Sequence, residues 1–334
     1  MVRDLTLKQI GEFSLIDLIK KDTLYDKKTV LEGIGDDAAV VLTTEGYLQL
    51  LTTDMLVENI HFNLNFTNFY KLGYKAIAVN LSDIAAMGGV PRQALISMAL
   101  PKDTEIENII ELYKGMKDIC KKFSVNIVGG DTVSTFGPIT INVALVGEVK
   151  EENLVKRSGA QVGDLLLVSG TLGNSAAGLE ILQNEYKDKF DFAEKLIEKH
   201  LTPTPQVKLG QLLGENKATS IDDISDGLAS ECNEISSASK VGIKLYKDKI
   251  PISAEVRAVA EYCNKSYLDY ALYGGEDFEL LFTMNPRDIE DFQKKSIENI
   301  FVIGEIVNSQ EGVIIIDSNG QSTILEAKGY NHFR

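Results

Sequence analysis

The chain of 334 residues is 44% hydrophobic and 25% charged, the balance of a globular protein, and it is long enough for two domains of about 150 residues each. Its 34 basic and 49 acidic side chains leave a net charge of -15. That balance excludes non-specific binding to nucleic acid or a membrane surface, but admits a phosphate substrate if divalent cations stand between protein and ligand.

In chain order, the opening segment MVRDLTLKQIGEFSLIDLIKK reads as an amphipathic helix near residues 6–21 and not as a signal peptide, so a cytoplasmic protein is expected. The β-former-rich runs at 38–44 and 47–54 predict strands. From residue 70 to 87, Leu72, Ala76, Val79, Asp83 and Met87 fall on one helical face, and Gly88, Gly89 and Pro91 end the pattern. A strand at 94–100, an amphipathic helix at 104–123 and strands at 125–131 and 139–149 complete the first half. The polar stretch 150–164 marks the boundary between domains 1–150 and 151–334. Beyond DLLLVSG, helices are expected at 173–184, 190–199, 205–214, 227–240, 253–264 and 286–298. Strands are expected near 241–246, 278–284, 300–307 and 312–317. This alternation predicts two α/β domains, a mixed α+β chain, with mixed sheets because several connections are too short for crossover helices. No apolar run approaches the roughly 18 residues of a membrane span. Cys120, Cys232 and Cys263 have no CxxC spacing and predict three free thiols.

Acidic residues recur beside glycine or at the ends of apolar runs: GDD (35–37), TTDM (52–55), NLSD (80–83), GGDT (129–132), DDISDG (222–227) and GGED (274–277). One such corner is ordinary turn chemistry, but six mark a ligand site at strand ends. Asp83 stands out, because a carboxylate on an apolar helix face is costly unless paired or bound to a cation. Hard oxygen ligands without a His or Cys cluster point to Mg²⁺, and several such ions would bind nucleotide phosphates. The sequence has no P-loop and no protein-kinase signature. GIGDDA matches GxGxx[GA] formally, but its aspartates would repel a pyrophosphate and a strand follows where a helix is required.

GIGDDAAV, TTDMLVENIHF, GYKAIAVNLSDIAAMGG, GGDT, KRSGAQVGD, DISDGL and YGGEDFELLFT, in this order, resemble the thiamine-monophosphate kinase family. The likeness runs from about Gly11 to the C-terminus. This family belongs to the superfamily of aminoimidazole ribonucleotide synthetase, selenophosphate synthetase and a hydrogenase maturation factor. The resemblance implies a homodimer formed through N-terminal domains that also hold the ATP site, with the C-terminal domain closing the cleft. It further implies direct in-line transfer from ATP to thiamine monophosphate with several Mg²⁺ ions. By motif, the metal ligands would be Asp37, Thr52, Thr53, Asp54, Asp83, Asp131, Asp223 and Asp226, with Asp54, Asp83 and Asp131 at the reaction centre. ATP would meet Gly130, Asp131, Arg157, Ser225 and Tyr113. Thiamine monophosphate would meet His61, Glu276 and Tyr330.

Arg157 offers forked hydrogen bonds to a phosphate, Glu276 an acceptor for an aminopyrimidine, and Tyr330 a stacking face for a thiazolium. No general base is expected, because the accepting phosphate oxygen is already ionised. Asp36 and Asp37 point to opposite sides of an extended segment, so the metal role implied for Asp37 leaves Asp36 to hold the corner. The competing expectation is another ATP-dependent synthetase of the superfamily, ring-closing or selenophosphate-forming. Against it stand GGEDFELLFT and the lack of a nucleophilic Cys or Lys near the N-terminus. A non-catalytic Ca²⁺ or Mg²⁺ binder is disfavoured, because no EF-hand loop occurs.

Overall fold

The computed structural model describes residues 30–32, 36, 39–42, 46–295 and 299–329. The expected helix at 6–21, Asp37 and Tyr330 lie outside the described residues.

In the first half, strands β1 (Val30–Glu32), β2 (Ala39–Leu42) and β3 (Tyr47–Val57) lead into helix α1 (Phe69–Ala86). Then follow β4 (Val90–Pro101), α2 (Ile106–Phe123), β5 (Asn126–Thr135) and β6 (Thr140–Lys150). The six strands form one sheet in the order β1-β2-β3-β6-β4-β5, in which only β4 and β5 run parallel, joined by the crossover helix α2.

The second half opens with β7 (Leu165–Ser169), α3 (Asn174–Gln183), α4 (Ala193–Leu201), α5 (Val207–Glu215) and β8 (Ser220–Asp223). It continues through α6 (Leu228–Ser239), β9 (Gly242–Tyr246), α7 (Ala254–Tyr262) and α8 (Tyr267–Leu272). The last elements are β10 (Leu280–Met284), α9 (Pro286–Gln293), β11 (Ile300–Val307), β12 (Val313–Ile316) and β13 (Ser322–Ile324). These strands form a second mixed sheet, β13-β12-β9-β11-β7-β10-β8, with β9 and β12 parallel. Strand β8 and helix α8 fall where no element is expected from the sequence.

Helix α1 joins the halves. The Asn68 side chain accepts from the Lys71 N–H and starts the helix. The sequence predicts one apolar face, but 13 residues of α1 are buried, because the helix is covered on two sides. One side packs on β3, β6 and α2, and the other meets α5 and β8. At the seam α5 comes so close that a Cβ on Gly210 would lie 2.0 Å from the Ala85 carbonyl oxygen. A single core runs through this seam, from Leu50, Ile77, Ile84 and Ile141 to Leu213, Ile221 and Phe282. Residues on α1 and β8 are therefore held in fixed relation across the two sheets. Cys120, Cys232 and Cys263 are unpaired. Among the described residues no helix is long and apolar enough to cross a membrane.

Candidate active site

Between the halves lies a cleft of about 1020 Å³. Asp54, His61, Asp83, Asp223, Ser225, Asp226 and Glu276 all line it, so residues more than two hundred positions apart in sequence face one space.

The acidic end is built by three elements. On β3, alternation puts Thr52 and Asp54 on the side of the buried Leu48, Leu50 and Leu56, facing α1, while Thr53 points the other way. Thr53 Oγ1 donates to the Val143 carbonyl at 3.1 Å and accepts from Asn142 Nδ2 at 2.9 Å, so its hydroxyl is used within the sheet. Thr52 Oγ1 donates to Asp83 Oδ2 on α1. The next residue back, Ser82, donates to Asp223 Oδ2 at 2.5 Å. Burial pushes the Asp54 carboxyl up to about 6. Asp223 is likewise raised to about 6, chiefly by burial and then by the charges of Asp54 and Asp226, against the opposing Ser82 bond and Arg157 charge. These carboxylates repel one another in a poorly solvated place, which a divalent cation relieves. Among the described residues no three His, Cys, Asp or Glu side chains gather closely enough to cage an ion.

Behind the corner DISDG stands Glu231, which sequence reasoning missed. Its Oε1 accepts from the backbone N–H of Ser225 at 3.1 Å and of Asp226 at 2.7 Å. The side chain is 3% exposed, and burial with the nearby Asp226 charge raises its carboxyl well above the usual range. GGED is stapled to the same corner, since the Glu276 N–H donates to the Ser225 carbonyl at 2.7 Å and the Phe278 N–H to the Ile224 carbonyl at 2.9 Å. Only glycine fits at 275, where a Cβ would sit 2.3 Å from the Ser225 carbonyl oxygen. Glu276 itself has φ of +65°, an unusual conformation for a non-glycine residue. Asp277, the last member of GGED, turns away and caps α3, accepting from Gly173 N at 2.6 Å and Ser175 N at 3.0 Å.

At the other end of the cleft, the Val57 N–H donates to His61 Nδ1 at 3.0 Å, which places the proton of the neutral ring on Nε2. Lys75 and His200, neither of them expected from the sequence, stand against Glu276. Burial and the Lys75 charge lower His200 to about 4, so the ring is neutral near pH 7.

The remaining candidates lie apart from this cleft. The Arg157 fork is committed to carboxylates, with Nε 2.9 Å from Asp222 Oδ1 and Nη1 2.5 Å from Glu234 Oε2. Its backbone N–H donates to Asp36 Oδ2 at 3.3 Å, which gives Asp36 a corner-holding contact across the halves. Tyr113 is half-buried on α2. Gly130 and Asp131 lie on β5, exposed, and Asp131 sits opposite Ser97 in the register. Three strand spacings separate β5 from β3, roughly 14 Å, too far for Asp131 and Asp54 of one chain to share an ion.

The fold and the cleft define a two-domain protein of the AIR synthase class. The family model described as AIR synthase related protein, N-terminal domain, matches residues 35–149, and the one for the C-terminal domain matches 161–317. Within that class the chain belongs to the thiamine-monophosphate kinase family, whose members are phosphotransferases. It is 37% identical to thiamine-monophosphate kinase of Bacillus subtilis, covering 97% of this chain and 100% of the relative. With the Aquifex aeolicus protein of the same name it shares 41% identity over 98% of this chain and 99% of the relative. A solved structure of AaThiL complexed with AMPPCP and TMP superposes with a TM-score of 0.87 at 39% identity, covering 99% of this chain and 100% of that one.

Proposed function

We propose that the chain transfers the terminal phosphoryl group of ATP to thiamine monophosphate, in line and without a covalent enzyme intermediate, to give thiamine diphosphate. One observation carries the reading: a single cleft is lined by Asp54, Asp83, Asp223 and Asp226 together with His61, Lys75 and Glu276. The relatives' shared name and the complex of AaThiL with AMPPCP and TMP support it.

Asp54, Asp83, Asp223 and Asp226 are the residues that would hold Mg²⁺, with Asp37 and Asp131 joining them on the strength of the family resemblance. Mg²⁺ supplies there the positive charge that lets two phosphates approach and that stabilises the transferring group. The chain's own residues do the positioning. Thr52 and Ser82 orient Asp83 and Asp223, and Glu231 fixes the backbone of Ser225 and Asp226. Accepting oxygen and enzyme need exchange no proton, because the acceptor phosphate is ionised at neutral pH. His61, Glu276 and Tyr330 take the organic part of the acceptor.

Gly130 and Asp131, assigned to ATP with Tyr113, require a second copy of the chain in this reading, because β5 lies three strands from β3. The outward face of the first sheet bears Leu51, Met55, Leu95 and Val133, which are 37%, 53%, 43% and 51% exposed. These exposed apolar side chains, which share the face with Thr53, Asn142, Ser97 and Asp131, are covered in a homodimer built through residues 1–150, with residues 151–334 closing the cleft. The enzyme is cytoplasmic in this reading.

The test is direct. Purified protein with Mg²⁺, ATP and thiamine monophosphate yields thiamine diphosphate, separated chromatographically from the monophosphate. Absence of the diphosphate with folded, dimeric protein sinks the proposal.

A further inference from the structure

Lys75 lies on α1 in the same stripe as Val79 and Asp83, and all three line the cleft. Asp83 lies eight positions beyond Lys75 on the helix, roughly 12 Å along the axis. The stripe thus runs from the acidic end of the cleft to its organic end. The Lys75 side chain is only 4% exposed, a depth at which an unpaired ammonium is strongly disfavoured.

Its partner is Glu276. Lys75 Nζ donates to Glu276 Oε2 at 2.8 Å, and His200 Nδ1 lies 3.2 Å from the same oxygen and 3.0 Å from Ser175 Oγ. Burial pulls the Glu276 carboxyl upward, but the Lys75 charge, with His200 and His61 near it, more than offsets this and holds it below the usual range. Among the described residues both close contacts fall on Oε2, and no hydrogen bond or ion pair falls on Oε1. The backbone at Glu276 is fixed as well, in its left-handed conformation, by the bond to Ser225. Lys75 from α1, His200 from α4 and the Ser225 corner therefore grip one carboxylate from three sides, more than a surface ion pair needs.

We propose that Lys75 is a positioning residue for acceptor recognition: it holds Glu276 as an oriented anion whose second oxygen takes an N–H donor or a cationic heteroaromatic group on the acceptor. The site selects an acceptor that carries such a group at its organic end and a phosphate at the other, near Asp83. This rests on the kinase reading above, because it assigns the organic end of that substrate. His200, neutral and backed by Ser175, keeps Oε2 occupied without adding a second charge.

The experiment measures steady-state kinetics for wild type, Lys75→Met, Lys75→Arg, Glu276→Gln and the double variant Lys75→Met/Glu276→Gln, with each substrate varied in turn. Lys75→Met raises KM for thiamine monophosphate by about tenfold or more, the scale of a charge-assisted hydrogen bond, and shifts KM for ATP by less than about twofold. Lys75→Arg restores most of the loss. The double variant is no worse than the poorer single variant, since both act through one carboxylate. It also leaves no unpaired buried charge, and so carries the test if Lys75→Met does not fold. A wild-type KM for thiamine monophosphate in whichever of these two variants folds overturns the inference while leaving the kinase reading intact. So does an equal rise in both KM values, the mark of a role in packing alone. If wild type itself neither binds nor phosphorylates thiamine monophosphate, the kinase reading fails and the inference falls with it.

Discussion

Ser82 donates its hydroxyl to Asp223 Oδ2 at 2.5 Å, joining a helix of the first half to a strand of the second. Both side chains are at most 1% exposed, so the bond is made out of water. Ser82→Ala leaves Asp223 short of a donor in a buried place, and is expected to lower unfolding stability by about 1–3 kcal/mol. It also removes one of the two influences that favour the Asp223 anion. Urea unfolding and a Mg²⁺ titration of turnover check this, with a lower midpoint in the first and a higher Mg²⁺ requirement in the second. Unchanged values in both would show that the bond carries no weight.

Asp54→Asn should separate activity from stability. Burial already raises the Asp54 carboxyl to about 6, and its charge raises that of Asp223. Removing it relieves a repulsion in the metal-free protein, whose thermal midpoint is expected to rise. Turnover is expected to fall by about a hundredfold or more, as when one preorganised electrostatic contact is lost from a reaction centre. Calorimetry in chelator and rate measurements at limiting Mg²⁺ decide the matter, and near-normal turnover would remove Asp54 from the reaction centre.

Much of this arrangement is legible in the sequence, for reasons that differ by residue. Helix α1 falls within a residue of the expected 70–87, because its apolar period is strong and its stop signals are unambiguous. Asp83 is conspicuous as a carboxylate in that stripe. Lys75, in the same stripe, is not, since a helical lysine normally lays its stem on apolar surface and puts its charge in water. Only the fold brings it to a glutamate 201 residues away. Strand β8 is hidden for a related reason: four residues with two aspartates carry no β signature, yet SIDD is wholly buried as the edge strand beside β10. Glu231 and His200 owe their meaning to tertiary partners that local pattern does not encode. The outward face of the first sheet shows only as alternation, which cannot distinguish a solvated side from one awaiting a second copy.

A pH dependence follows from Asp277. Its carboxyl is raised to about 7, chiefly by burial and against the helix N–H groups it caps. A folded value above the unfolded one means that the folded chain holds a proton the unfolded chain has released. The stabilisation is therefore complete below about 4, the unfolded value, and is lost as pH rises through about 7. Asp277→Asn keeps an acceptor for α3 and has no titration. The stability of wild type relative to this variant should decline between pH 4 and pH 7 and level off above, as read from denaturant unfolding across that range. A difference that is flat with pH would place the Asp277 titration elsewhere.

Leu95 offers the cleanest probe of the second copy. It stands 43% exposed on β4, opposite Ala144 of β6 and Gly129 of β5, near the middle of the outward face. A polar replacement there costs the single chain little, within about 0.5 kcal/mol for an ordinary surface site. In a dimer the same replacement buries a charge in an apolar contact, which is disfavoured far more strongly. Leu95→Asp is thus expected to give a folded monomer, with unchanged circular dichroism and half the mass by light scattering. Gly130 and Asp131 lie one strand away on the same sheet, and Asp131 is too far from Asp54 to serve its own chain's cleft. ATP-dependent turnover should therefore vanish together with the dimer and return when concentration or a compensating variant restores association. A monomer with full activity would confine the whole site to one chain, and an unchanged dimer would move the interface off this face.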